Sequence, residues 1–149
     1  ETEYPMIRVR VMFTLVAVVV MAAACSSTSD AVTIDDPWGR PSPTSTGNAA
    51  FYMAVTGGEA DDRIASASST SCDVTELHET TMQDGVMSMQ EQTEGIPIPA
   101  GSTVMLEPGG LHVMCIGVQK ALVAGETVAV DLEFENAGTV SVVAEIREQ

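Results

Sequence analysis

The sequence predicts an all-β domain, an antiparallel sandwich of about eight strands. Three observations point to it. Short β-branched runs alternate with turns rich in Gly, Pro, Asn and Asp. Beyond residue 30, no stretch repeats its apolar positions at the helical period. No segment repeats another, and 149 residues suit one domain better than two.

The elements follow in order. Val32–Ile34 opens the domain. A loop comes next, from Asp36-Pro37-Trp38-Gly39-Arg40-Pro41 through a Pro/Ser/Thr stretch to Gly47. Ala49–Val55 is a strand closed by Gly57-Gly58. Ile64–Ser68 and Val74–His78 are extended, with Cys72 leading into the second and His78 ending it before a polar turn. Val86–Met89, Ile96–Ile98 and Thr103–Leu106 follow, the last two separated by the turn Pro99-Ala100-Gly101. Pro108-Gly109-Gly110 turns the chain into Leu111–Val118, the most apolar run and therefore a central strand. Thr127–Phe134 and Thr139–Ile146 flank Asn136-Ala137-Gly138, which reads as a hairpin.

The start of the chain has a different character. Arg8 and Arg10 precede an apolar run of 14 residues, Val11–Ala24, that ends in small residues. This is the layout of a secretory signal, and the run is shorter than the roughly 20 residues that span a bilayer. Ala-Ala-Ala-Cys resembles a bacterial lipobox, in which Cys25 becomes the lipidated first residue, although Ala22 stands where Leu or Val is commoner. Ordinary cleavage before Cys25 is the other reading. Both place the domain outside the cytoplasm. Residues 1–24 are thus expected to be a signal peptide, 25–31 a tether and 32–149 the folded domain.

The formal net charge is −15, and a surface this acidic repels phosphate backbones, which excludes nucleic acid. Six aromatic residues are too few for a stacking or sugar-binding platform. No Ser/His/acid trio can be placed, so the expectation is a carrier and not an enzyme.

Two counts stand out: nine Met and only two His. Both histidines bound one segment, His78 to Met114, which also holds Met82, Met87, Met89 and Met105. On a strand the side-chain period of two puts His112 and Met114 on one face, and likewise Met87 and Met89. Thioether is a soft neutral ligand and imidazole an intermediate one, a combination that favours Cu(I). Neither ligand releases a proton on binding, unlike a thiol. Singly, a strand Met is more often packing or surface than ligand, as expected for Met53 and Met105, and a strand-end His is usually solvated. The bracketing of a Met-dense segment by both histidines outweighs that reading.

With Cys25 set aside, Cys72 and Cys115 remain, an even pair in an oxidising compartment. Cys115 adjoins His112 and Met114 and could be read as a ligand. Alternation instead turns it to the opposite, inward face, so a Cys72–Cys115 disulfide is the better reading.

The segment resembles the PCu(A)C family of periplasmic copper chaperones. Ten residues separate His78 from Met89, and 22 separate Met89 from the His112-Val113-Met114 triplet. LHET, GVMSMQ and IPIPAGSTVMLEPGGLHVM carry the likeness, which extends from about Val32 to Ile146. It implies a cupredoxin-like Greek-key sandwich. It also implies one Cu(I) held by His78, Met89, His112 and Met114, with Met82 and Met87 as alternate ligands. The implied recipient is the copper-bearing subunit of cytochrome c oxidase, at its binuclear copper centre, or another copper-assembly protein. Glu79 follows His78 where some members have Met, and the His- and Met-rich tail of some members is missing. Two rivals remain at this level: a redox cupredoxin, and a non-metal lipoprotein that binds partners through its Met-rich patch.

Overall fold

The computed structural model describes residues 31–42 and 47–148. The expected signal peptide, Cys25, most of the tether, and residues 43–46 of the Pro/Ser/Thr stretch lie outside the described residues. Among those described, there are ten strands and no helix. They are β1 (Thr33–Pro41), β2 (Asn48–Thr56), β3 (Asp62–Ser68), β4 (Cys72–Gln83), β5 (Val86–Glu91), β6 (Ile96–Ile98), β7 (Thr103–Leu106), β8 (Leu111–Val118), β9 (Thr127–Phe134) and β10 (Gly138–Ile146).

The strands pair in the order β5-β4-β8-β7-β2-β1-β10-β9-β3-β6, with β8 also pairing β2. This continuous sheet folds over itself at β1 and β10, as a sandwich requires. Phe51, Leu77 and Val113 from one side meet Ile64, Val130, Leu132 and Ile146 from the other in one buried cluster. Alternation explains the choice: in β2 Ala49, Phe51, Met53 and Val55 point into the core, while Ala50 and Tyr52 point to the other face. Met53 is therefore a core residue.

Four details differ from the sequence reading. The strands number ten and not about eight, because every extended stretch pairs as a strand, the short ones included: β6 with β3 and β7 with β2. The Asp36–Pro41 stretch is strand and not loop. A bulge between Asp35 and Trp38 absorbs its irregular residues: Asp36 has a φ of 46°, and Pro37 has no N–H to pair. The pairing is not wholly antiparallel, since β1–β10 and β7–β8 are parallel. Finally, His78 lies within β4 and not at its end. The polar text after it reads as a turn only because the chain continues as a hairpin with one face away from the core.

Candidate metal centre

Three strands build the site. Opposed residues in a ladder share a face, so the registers fix what meets. Between β4 and β8, His78 faces His112 and Glu76 faces Met114. Between β4 and β5, Thr80 faces Met89 and Met82 faces Met87. From β2, Ala50 faces Met114. One sheet face, opposite the core face, thus gathers both histidines with Met82, Met87, Met89 and Met114.

The two imidazoles lie with ring centroids 5.9 Å apart. His112 and Met114 are buried, at 3% and 8% exposure, while Met89 is 48% exposed. Met87, Met89, His112 and Met114 line one cavity of about 180 Å³, walled also by Tyr52 and Thr80. His78 stands beside that cavity, across the ladder from His112, and not in its wall. Met105 is half exposed on β7, opposite Ala54, and does not line this cavity.

Each ring has one nitrogen engaged. His112 Nδ1 donates to the Gly110 carbonyl at 3.0 Å, which leaves Nε2 with its lone pair. The same carbonyl accepts the Thr80 amide at 3.0 Å, so one oxygen ties β4 to the His112 tautomer. His78 Nε2 lies 2.8 Å from Glu76 Oε2. Its Nδ1 is buried and has no hydrogen-bond partner. A buried orphan nitrogen is costly unless something binds it, and with Nε2–H donating to Glu76, Nδ1 is a lone pair ready for a metal. Burial pushes His112 below the ordinary histidine pKa; His78 and Arg40 lower it further, and the Gly110 bond partly opposes them.

Glu76 was missed by sequence reasoning, yet the signal existed: a carboxylate two residues before His78 on a strand shares its face. The aromatic flank was also missed. The Trp38 and Tyr52 rings lie 4.6 Å apart, tilted by 40°, and the Tyr52 ring lies 6.1 Å from that of His112.

Cys72 and Cys115 are bonded, with Cα atoms 5.5 Å apart, and Cys115 is fully buried on the core face. The thiolate that an electron-transfer copper site needs is therefore absent from the His–Met face. Among the described residues, no group of three or more His, Cys, Asp or Glu side chains is arranged to hold a metal. A site here must draw on thioethers.

This β-sandwich belongs to a known class, the PCuAC-type domains. The chain is a member of the LpqE-like lipoprotein family of this type, whose profile matches residues 32–146. It is 32% identical over 120 residues to "Putative lipoprotein Lxx21020" of Leifsonia xyli subsp. xyli, covering 80% of this chain and 72% of that one. Among solved structures it resembles a copper-bound PCuAC domain from PmoF2, with TM-score 0.65, 25% identity, and 79% and 93% of the two chains covered. It also resembles CuI-DR1885 from Deinococcus radiodurans, with TM-score 0.63, 25% identity, and coverage of 85% and 87%. The fold is the cupredoxin-like sandwich of these domains.

Proposed function

We propose that this protein is an extracytoplasmic copper chaperone that carries one Cu(I) between His78 Nδ1, His112 Nε2, Met89 and Met114. The observation that carries the reading is the pair of opposed histidines, each with one nitrogen held by the protein and the other unengaged, next to a cavity lined by three thioethers. Four neutral ligands leave the ion a monocation, and soft sulfur selects Cu(I) over zinc. Glu76 orients His78 and lends negative charge near the cation. The register of β4 and β5 favours Met89 over Met87, because Met89 stands one side-chain step from His78 and Met87 two.

The protein carries copper and does not transform it. Delivery is ligand exchange: an acceptor thiolate or imidazole enters from the side of half-exposed Met89, that thioether leaves, and the ion passes over without redox chemistry. The recipient we favour is the copper-bearing subunit of cytochrome c oxidase, or another copper-assembly protein. Residues 1–24 act as a signal, and a lipid on Cys25, with residues 25–31 as tether, holds the carrier at the membrane where that subunit sits.

The test is an anaerobic Cu(I) titration against a chromophoric chelator, on wild type, His112→Ala and Met114→Ala. One-to-one binding that is lost or much weakened in both variants is the expected result. No competitive binding in the wild type overturns the reading and leaves a lipoprotein interaction module as the better account.

A further inference from the structure

The hairpin that carries Met89 runs past the metal centre. It ends in Asp84 and Gly85, with φ of 51° and 79°, the two positive values that a two-residue hairpin turn requires. Such a turn makes Gln83 and Val86 a hydrogen-bonded pair, so the close side-chain pairs beyond it are Met82–Met87, then Thr80–Met89, then His78–Glu91. The Gln92 amide bonds the Leu77 carbonyl at 2.7 Å, which keeps the same phase at the other end of the hairpin. Met82 and Met87 therefore stand with Cα atoms roughly 4.5 Å apart. Met89 lies two residues along from Met87 on the same face. The three are 61%, 66% and 48% exposed, so packing alone gives little reason for three thioethers here.

We propose that Met82, Met87 and Met89 form a second, outer soft-metal site at which Cu(I) is loaded before it reaches the His–Met centre; this rests on the copper reading above. Three flexible thioethers on one face can close on a single soft monocation. Met87 and Met89 open on the same cavity as His112 and Met114, so the two sites share a wall and one ligand. In the hand-over, the Met82 and Met87 sulfur–copper bonds break as bonds to His112 Nε2, His78 Nδ1 and Met114 sulfur form. Met89 stays bound. No proton is released, and copper remains Cu(I) throughout.

The experiment is a titration of the protein with Ag(I), a redox-inert stand-in for Cu(I), read by NMR of the methionine methyl groups. In wild type the first equivalent shifts Met89 and Met114, and excess Ag(I) then shifts Met82 and Met87. In His112→Ala/Met114→Ala the first equivalent goes directly to Met82, Met87 and Met89. Adding Met82→Leu and Met87→Leu, which keep side-chain bulk, weakens that residual binding at least tenfold. If Met89 and Met114 shift in wild type while Met82 and Met87 stay fixed through excess metal there and in the double variant alike, the outer site is overturned and the inner one stands. If Met82 and Met87 shift while Met114 never does, the outer site stands and the four-ligand centre falls. If no methionine methyl shifts, both fall.

Discussion

On one face of the β4–β8 ladder Leu77, Val113 and Cys115 lie in the buried core, and Cys115 is bonded to Cys72, which packs against that core. On the other face of the same two strands, His78 stands opposite His112 and Glu76 opposite Met114. Successive residues of β8 therefore serve different ends: Val113 and Cys115 hold the sandwich together, while His112 and Met114 present donors. The difference teaches how so small a domain keeps a site rigid. The donors sit on strands that the core locks in place from behind, so stability and binding can be broken separately.

The largest effect expected is on the core face. Replacing Cys72 and Cys115 with Ser opens a cross-link of sequence separation 43. On the chain-entropy model that costs about 4 kcal/mol, read as a lower denaturation midpoint. Copper affinity of the still-folded fraction should stay within a few-fold. On the site face the pattern reverses. His112→Ala should weaken Cu(I) binding at least ~100-fold, since even loss of a ligand's supporting partner costs about 10- to 100-fold. The same variant should shift the apoprotein's denaturation midpoint by much less than the loss of the disulfide does. Equal loss of stability in both variants would erase the contrast between the faces.

A finer cut is Glu76→Gln. It keeps the shape but removes the charge that orients His78, and about a tenfold loss of Cu(I) affinity is expected in the same competition titration. Unchanged affinity would make Glu76 a bystander. The smallest effect is in pH. Burial lowers the His112 pKa in the fold, so the unfolded chain binds more protons than the folded one below the ordinary histidine value. The His112 contribution is thus fully present above about pH 6.5 and is lost as pH falls below it. Denaturation of the apoprotein from pH 7.5 downward should show that decline, and His112→Ala should flatten it.

Much of this was legible in the sequence because β-structure writes its faces with a period of two. His112 with Met114, Met87 with Met89, and Cys115 turned inward all follow from alternation alone. What alternation within a strand leaves open is register between strands. That is why the opposition of His78 to His112, and the nearer position of Met89, emerge only from the pairing. Sequence alone makes β4 too short because the polar run after His78 looks like a turn, when it is one strand of a hairpin with β5. The Asp36–Pro41 stretch looks like a loop because its prolines and charges are those of a turn, and a bulge lets them into a strand. The engaged His78 nitrogen had a readable cue in Glu76-x-His78. The Tyr52 flank had none without knowing that β2 lies against β8.

The central claim is the ligand set, and X-ray absorption at the copper edge of the anaerobically loaded protein tests it most directly. The account predicts Cu(I) with two nitrogen and two sulfur scatterers, falling to one nitrogen in His78→Ala. A copper environment without sulfur, or one unaltered by His78→Ala, would contradict it.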